Sequence, residues 1–494
     1  MRRFSKRSER AILAVIVLVY IVLGILYAVM TPPWQVPDEP AHYNYVRFLV
    51  QERRLPVLSM GDYDQGYLDE ATSRRFDPAL SIDPIRYESH QPPLYYLLAM
   101  PVYVLFRGAL IPLRLFSVLL GAGLPIVAYL VGKQVYPDQA WPGLGAAAFV
   151  ALIPQHVAMS AGVENDVLAE LILGLVLLAL VRWLSLTEWG SIRRLTVVGV
   201  LVGLGLLTKI SAYIAIPLAL IAVLLKLRQA AHQGPSSQSA RTAGIAVAAL
   251  LIPALILSLP WFIRNAAVYG HMDLTGLKYH NQIVVGQLRT RDWIAEHGWV
   301  SLPAAFLSTT FHSFWAQFGW MAVPIDARIY MALGMLSLLV CLGFVLWLID
   351  AWDGRRRPTP AGILLACSAL FTLATLIWYN LGLYQAQGRY LFPALIPLGI
   401  AWSLGLHQIL GKQEGWLIGI VLALVTGLGV AKWLLRVCDD KWRVLTTGLG
   451  AAVLGGRRFL PDWAGDSLFA ATHVLLAALC AVSPFWFIAP YLTP

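Results

Sequence analysis

An acidic pair near the start of the chain offers the clearest chemistry in the sequence. Asp38 and Glu39 follow the first hydrophobic segment, and His42 comes four residues after Asp38. Pro37 and Pro40 bracket the pair, and because proline fixes φ and restricts the residue before it, the backbone carrying the carboxylates is stiff. A rigid carboxylate at a membrane surface suits a general base, with His42 orienting it or serving as the base itself. The alternative is a polar loop that caps the helix predicted to begin at Pro40.

Basic residues at three other places are candidates for binding phosphate. Lys209 interrupts an apolar run, Arg264 ends another, and Arg389 lies with Tyr390 in a short polar loop. Arginine binds phosphate oxygens through a planar fork of N–H donors, and lysine binds them as a point charge. These residues would stabilise the charge that develops on a departing phosphate. The alternatives are a lysine that snorkels to the interface and an arginine that anchors a helix there.

Other polar and aromatic side chains are candidate substrate contacts. Asp166 ends the acidic turn Glu-Asn-Asp, where it is either a site residue or an N-cap of the next helix. We also expect a substrate contact from His90. Aromatic rings can stack on sugars or hold an isoprenoid chain, and the candidates are Trp34, Tyr95, Tyr96, Trp315 and Trp320.

The composition places the chain in a membrane. Of its 494 residues, 58% are hydrophobic and 13% charged, with a mean hydropathy of +0.67, whereas soluble domains carry about 25% charged residues. The net charge of +10 does not indicate nucleic-acid binding, because much of it lies in short loops that the positive-inside rule assigns to the cytoplasm. The sequence has no Walker-type phosphate loop, dinucleotide fingerprint or HExxH zinc motif. Its four cysteines show no CxxC spacing and are interpreted as packing residues.

The hydropathy pattern predicts an all-α transmembrane bundle of about eleven to thirteen spans. The first span is Ala11–Met30, and two large outside loops follow, at 31–92 with interfacial helices and at 264–328. We expect a catalytic module over 1–411 and additional transmembrane segments over 412–494.

Charge distribution sets the expected topology. With 93–106 counted as an interfacial or re-entrant helix, the basic groups that fall inside are Lys133, Arg193, Arg194, Lys226, Arg228, Arg355 to Arg357 and Lys412. The groups that fall outside are Asp38, Glu39, Asp166, Lys209, Arg264 and Arg389. Ionisable groups near the ends of membrane helices are costly, so their convergence on one side favours a functional site.

The order of these motifs resembles the GT-C superfamily of polytopic membrane glycosyltransferases over residues 10 to 411. The motifs are, in chain order, the Asp38-Glu39 pair, HQPPLYYLL from His90, END ending at Asp166, LLTKISA around Lys209, RN..YG from Arg264 and QGRYLFPALIPL from Gln387. Similar members are the protein O-mannosyltransferases and the lipid A aminoarabinose transferase, and the FWAQFGW and QGRYLFPAL stretches look closest to a bacterial branch.

This resemblance implies a polyprenyl-phosphate-linked sugar as donor, a lipid, glycan or protein acceptor, and inversion at the anomeric carbon. It places the site on the extracytoplasmic side of a bacterial inner membrane. It implies that Asp38, with Glu39 beside it, is the base or a metal contact, and that Lys209, Arg264 and Arg389 lie near the phosphate. Members of the superfamily differ in metal use, so a magnesium or manganese ion, if present, would contact Asp38 and Asp166.

Two other functions compete with the glycosyltransferase. A transporter or flippase of a lipid-linked saccharide would carry polar residues along its mid-membrane path and often internal repeats, whereas these spans are apolar through their centres. An O-antigen ligase or polymerase type of enzyme shares the lipid-linked donor and relies on arginine and histidine in a large outside loop. His271, His280, Arg289 and Arg291 keep that alternative open.

Overall fold

Helices make up almost all of the regular structure. The computed structural model describes residues 5–231, 237–354, 358–435 and 441–493. Within these residues the regular exception is one antiparallel hairpin, β1 (Gln317–Phe318) and β2 (Val323–Pro324), with Phe318 opposite Val323. The all-α prediction is confirmed.

Twelve α-helices form the first part of the described chain. They are α1 (Lys6–Met30), α2 (Glu39–Glu52), α3 (Gln65–Ser73), α4 (Leu94–Leu105), α5 (Leu110–Gly121), α6 (Gly123–Val135), α7 (Trp141–Ala151), α8 (Pro154–Ser160), α9 (Asp166–Leu184), α10 (Ile192–Leu206), α11 (Ala215–Ala231) and α12 (Ser237–Tyr269). Short 3-10 segments occur at Tyr87–His90 and Ile210–Ile214.

Ten more α-helices follow in the second part of the described chain. They are α13 (Leu277–Ile283), α14 (Thr290–His297), α15 (Leu302–Trp315), α16 (Ala327–Asp353), α17 (Pro360–Asn380), α18 (Leu395–Ile409), α19 (Lys412–Leu434), α20 (Lys441–Gly456), α21 (Trp463–Ser483) and α22 (Ala489–Leu492). A 3-10 segment, Gly388–Ala394, leads into α18, another lies at Arg457–Phe459, and a π-helical turn, Pro484–Ile488, joins α21 to α22.

The structure is that of a multi-pass membrane protein. In the described ranges ten helices are long and apolar enough to cross a membrane, or eleven if α7 and α8, bent by 64° at their junction, form one span. Ten is one fewer than the predicted range of about eleven to thirteen spans, and eleven is its lower limit. Helix α4 is short, as expected, and the last apolar helix extends over Asp462–Leu492. The predicted inside cluster Arg355 to Arg357 lies outside the described residues.

Close helix packing explains two glycines in α10. A Cβ at Gly199 would approach the Leu250 carbonyl oxygen of α12 to 2.4 Å, and one at Gly203 would approach the Ala254 Cα to 3.0 Å. The spacing of these glycines, GxxxG, is typical of close contact between membrane helices. At 15 residues, α10 is about 22 Å long, and the polar break around Lys209 begins where it ends.

The candidate site lies where several helix ends meet. Helix α7 is buried along almost its whole length and packs with α18 and α6 in the centre of the bundle. The start of α9, the break after α10, the 3-10 segment before α18 and the start of α2 come together beside this core. The sequence places these four ends far apart, so packing of the spans creates the site.

Candidate functional site

Asp38 is held by two partners at the entrance to α2. Its Oδ1 accepts a hydrogen bond from the Tyr87 hydroxyl at 2.6 Å, and its Oδ2 accepts one from Arg389 Nη2 at 2.6 Å. The residue has φ of 67°, in the left-handed region that a residue with a Cβ seldom adopts. Strained backbone of this kind occurs at sites where the surrounding structure fixes a side chain. Burial raises the pKa of the Asp38 carboxyl, but Arg389 and Tyr87 more than offset this effect, so the pKa lies below its usual value.

Arg389 is positioned by a close approach to α15. A Cβ at the preceding residue, Gly388, would lie 2.2 Å from the backbone nitrogen of Phe314, and the Gly388 N–H donates to Ser313 Oγ at 2.8 Å. The glycine is therefore required by packing. Arg389 uses Nη2 to bind Asp38, while its Nε and Nη1 are buried and have no hydrogen-bond partner among the described residues. A buried guanidinium with two unsatisfied donors suits an anionic ligand.

Lys209 projects from the break between α10 and the 3-10 segment that follows. The broken backbone is compensated, because the Thr208 carbonyl accepts a bond from Asn165 Nδ2 at 3.0 Å and the Leu207 carbonyl accepts one from the Leu94 N–H at 2.9 Å. Lys209 Nζ lies 2.7 Å from Asp166 Oδ1 at the start of α9. Asp166 is thus the ion-pair partner of the lysine, and its side chain makes no capping bond.

Glu164 connects the two cations. Its Oε1 lies 3.6 Å from Lys209 Nζ and 3.6 Å from Arg389 Nη1, both beyond hydrogen-bond distance. Burial and the neighbouring Asp166 carboxylate raise the pKa of Glu164 well above its usual range. The buried group thus brings two cations, Lys209 and Arg389, together with three carboxyl groups.

A cavity of about 290 Å³ opens beside Asp38 and Arg389. Its wall includes Tyr390 and Trp320, both predicted site residues, and a further carboxyl, Glu88. Burial and the Asp38 carboxylate raise the pKa of Glu88 to about 7. Two of the carboxyls in the wall thus differ in character, because Asp38 is held ionised by an arginine and Glu88 has a pKa near neutrality.

Glu39, predicted as a catalytic partner of Asp38, has a structural role in this geometry. It is fully buried, and its carboxylate accepts hydrogen bonds from Nε and Nη2 of Arg114 at 2.7 and 2.6 Å. It also accepts hydrogen bonds from the backbone N–H groups of Trp34 and Val163. Both carboxylate oxygens are occupied, so Glu39 has no free position for a substrate proton. The prediction is corrected on this ground.

His42 lies one turn into α2, as predicted, and contacts Tyr96. Its Nδ1 is 2.8 Å from the Tyr96 hydroxyl, and it is 1% exposed. Burial and the positive charge of Lys209 lower the pKa of His42 to about 3, although Asp38 acts in the opposite direction. A neutral, weakly basic imidazole is a poor general base, so the geometry favours a positioning role.

The remaining predicted residues divide between the cavity and the protein core. Trp320 donates from Nε1 to the Trp34 carbonyl at 3.0 Å and lines the cavity. His90 lies behind the wall, with its ring 4.4 Å from that of His280, which lines the cavity. Trp315 instead packs in the hydrophobic core and is 2% exposed, so its predicted substrate contact is corrected.

Arg264 has its partners outside the group formed by Asp38, Glu164, Asp166, Lys209 and Arg389. Its guanidinium lies over the rings of Trp261 and Tyr269 and donates to Asn265 Oδ1 at 2.9 Å and to the Pro56 carbonyl. The structure therefore does not support the predicted phosphate contact. The bond from Arg264 to the Pro56 carbonyl instead connects α12 to the first outside loop.

The predicted metal contacts each have a basic partner. Asp38 is paired with Arg389 and Asp166 with Lys209. In the described part of the chain, no group of three or more His, Cys, Asp or Glu side chains is arranged to hold a metal ion. Both predicted metal contacts are thus engaged by basic side chains in this structure.

The sequence analysis did not identify three residues that contribute to the candidate site. Arg114 is fully buried in α5, and an arginine within an apolar helix is itself a signal of a specific partner. Tyr87 and Glu88 immediately precede the HQPPLYYLL stretch, but neither has a pattern that reveals its proximity to Asp38.

Comparisons with known proteins support the fold. A family model described as dolichyl-phosphate-mannose-protein mannosyltransferase matches residues 90–261. ArnT from Cupriavidus metallidurans, solved with undecaprenyl phosphate, is 16% identical over 96% of this chain and 77% of its own, with a TM-score of 0.52. No curated protein matches the sequence.

Two larger proteins are also similar. The Archaeoglobus fulgidus oligosaccharyltransferase is 12% identical over 97% of this chain and 55% of its own, with a TM-score of 0.47. The Saccharomyces cerevisiae Pmt1-Pmt2 protein O-mannosyltransferase is 18% identical over 54% of this chain and 34% of its own, with a TM-score of 0.37. The chain thus spans about half the length of the oligosaccharyltransferase. On the ArnT match, the chain has the same fold as that protein.

Proposed function

We propose that the protein is a membrane glycosyltransferase that moves a sugar from a polyprenyl-phosphate carrier to an extracytoplasmic acceptor. The observation that carries the proposal is Arg389, which fixes Asp38 with one nitrogen and keeps two buried donors unpaired beside a cavity. A candidate base and a candidate anion site are thereby held next to each other, as transfer from a phosphate carrier requires.

The phosphate would bind to Arg389 and Lys209. Charge-assisted hydrogen bonds are about twice as strong as neutral ones, and these cations lie in a buried setting where electrostatic stabilisation is larger than in water. The raised pKa of Glu164, which lies between them, favours its uncharged form and so reduces repulsion of the incoming anion. The match to ArnT, solved with undecaprenyl phosphate, supports a polyprenyl carrier.

Asp38 would act as the general base. The acceptor hydroxyl attacks the anomeric carbon, its proton passes to the Asp38 carboxylate, and the carbon–oxygen bond to the phosphate breaks. The electron pair of that bond leaves with the phosphate, which Arg389 and Lys209 stabilise. One displacement of this kind inverts the anomeric carbon. No step requires a metal ion.

The side of the membrane follows from charge. The basic residues Lys133, Arg193 and Lys226 lie at the opposite ends of their helices from the Asp38 site, and the positive-inside rule assigns them to the cytoplasm. We therefore propose that the reaction occurs on the extracytoplasmic face, and the resemblance to a bacterial branch supports a bacterial inner membrane as its location.

Binding of undecaprenyl phosphate to the purified protein tests the proposal. Native mass spectrometry would compare wild type with Lys209→Gln and with Arg264→Gln, a matched control whose guanidinium lies away from the site. We expect Lys209→Gln to weaken binding at least tenfold and Arg264→Gln to leave it unchanged. The alcohol undecaprenol serves as the ligand without the phosphate. If wild type binds both lipids equally, the phosphate site is wrong.

A further inference from the structure

The cavity beside Asp38 and Arg389 is lined by side chains to which the proposed reaction assigns no role. Besides Asp38 and Arg389, its wall contains four glutamines, five aromatic rings and two further carboxyls, Asp69 and Glu88. Few apolar side chains line the cavity. Among the described residues, Arg389 is the one arginine in its wall, and no lysine lines it. The wall is assembled from both outside loops, because Gln65 comes from α3 and Gln287 from the segment after α13.

Two oxygen atoms in this wall lack a hydrogen donor. Glu88 Oε2 and Gln287 Oε1 are buried and have no hydrogen-bond partner among the described residues. A buried acceptor without a partner is costly. A ligand rich in O–H groups would satisfy both atoms, whereas an anion would add further acceptors beside three carboxyls.

An aromatic side chain is fixed at the edge of the cavity by strained backbone. Trp320 and Met321, in the turn between β1 and β2, have φ of 56° and 70°. A Cβ at Gly319 would lie 2.3 Å from the side chain of Leu492, so α22 closes against this turn. The bond from Trp320 Nε1 to the Trp34 carbonyl fixes the indole. Strain of this kind is retained where it positions a functional side chain.

Glutamine, carboxylate and aromatic side chains together match a polyhydroxylated ring. Amides and carboxylates accept and donate to hydroxyl groups, and an aromatic face covers the apolar C–H surface of the ring. A cavity of about 290 Å³ is at the lower end of ligand pockets, which hold about 300–1,000 Å³, so a terminal sugar unit is of suitable size. A peptide acceptor would need main-chain partners or apolar pockets, and the wall has few apolar side chains.

We infer that the acceptor is a neutral saccharide whose terminal ring binds in this cavity, with Glu88 and Gln287 receiving its hydroxyl groups and Trp320 covering one face. The inference rests on the proposed function, because it assigns the cavity to the molecule that attacks the donor. It makes the protein an enzyme that extends or decorates a glycan.

Saturation-transfer NMR on the protein in nanodiscs tests the inference. The probes are a panel of methyl glycosides of common hexoses and a panel of serine- and threonine-containing peptides, each with undecaprenyl phosphate present. We expect a glycoside to bind, and Gln287→Leu and Trp320→Ala to weaken its binding at least tenfold. Gln134→Leu, at the far end of α6, should bind like wild type.

Other outcomes overturn the inference in distinguishable ways. Peptide binding that the same two variants abolish would make the acceptor a protein. Glycoside binding that an undecaprenyl-phosphoryl hexose displaces would assign the cavity to the donor sugar. If undecaprenyl phosphate binds and no glycoside does, the saccharide acceptor is wrong and the glycosyltransferase stands. If glycosides bind and undecaprenyl phosphate does not, the donor proposal is the one that fails.

Discussion

Asp38 and Glu39 are neighbours in sequence, and each is paired with an arginine, yet their surroundings differ in one respect. Arg114 uses all three nitrogens, giving two bonds to Glu39 and others to the carbonyls of Ala28, Thr31 and Pro32. Arg389 gives one hydrogen bond to Asp38, while its Nε and Nη1 have no hydrogen-bond partner among the described residues. In the Glu39 pair all hydrogen-bonding positions are satisfied and the pair is buried. In the Asp38 pair some positions are not satisfied, and the pair borders a cavity.

We interpret this difference as that between a structural ion pair and one that takes part in the proposed reaction. A buried pair is stable only when its other hydrogen-bonding positions are also satisfied, and the Glu39 pair meets that condition entirely within the protein. It ties α2 to α5 and to the end of α1, and so fixes the backbone on which Asp38 lies. The Asp38 pair meets the condition only when a ligand supplies the missing acceptors.

The largest effect is expected from breaking the Glu39 pair. Arg114→Leu leaves the Glu39 carboxylate buried without its partner, which costs about 3–5 kcal/mol. The midpoint of chemical unfolding in detergent should fall accordingly. The double variant with Glu39→Leu should recover part of the loss, because no charge is then buried alone. Equal stability of the single variant and wild type would show that the pair is not structural.

Asp38→Asn should affect the reaction and spare the fold. The amide cannot take the acceptor proton, so the rate of sugar transfer should fall by about 10²- to 10⁴-fold. Its oxygen can still accept from Arg389 or Tyr87, so the melting temperature should stay close to that of wild type. Asp77→Asn, on an exposed turn, is the control for both measurements. An Asp38→Asn protein with full activity rules out the base.

Glu88 should make the protein sensitive to pH. Its pKa is raised from 4.5 to about 7, so the folded protein holds this proton more tightly than the unfolded chain does. The free energy of unfolding should therefore fall as the pH rises from 4.5 to 7. Glu88→Gln should flatten the stability curve over that window, which thermal melts at closely spaced pH values would measure. An unchanged curve would place the titration elsewhere.

The smallest effect is expected at His42. Because the pKa of this histidine is lowered to about 3, we expect the imidazole to be too weak a base to take the acceptor proton. His42→Gln keeps a partner for Tyr96 and should slow transfer less than tenfold. The pH–rate profile should keep its shape. A loss as large as that of Asp38→Asn would assign the proton transfer to the imidazole.

Hydropathy and charge alone predicted much of the fold and part of the site. They gave the membrane helices, the short α4 and the convergence of Asp38, Asp166, Lys209 and Arg389, because each depends on length and on the side of the membrane. They did not separate Asp38 from Glu39. That distinction depends on partners 351 and 75 residues away, which packing chooses. Packing also decides that Trp315 lies in the core and Trp320 at the cavity, although the two residues are close in sequence.

Exchanging each arginine for lysine tests the comparison most directly. Lysine keeps the charge and loses the planar fork, and a hydrogen bond to a charged group contributes about 1.5–3 kcal/mol. The measurements are undecaprenyl phosphate affinity and melting temperature for Arg389→Lys and Arg114→Lys. For Arg389→Lys we expect undecaprenyl phosphate to bind at least tenfold more weakly, with little change in the melting temperature. For Arg114→Lys we expect a lower melting temperature, with the affinity of the folded protein unchanged. The reverse pattern, or identical behaviour of the two variants, would contradict it.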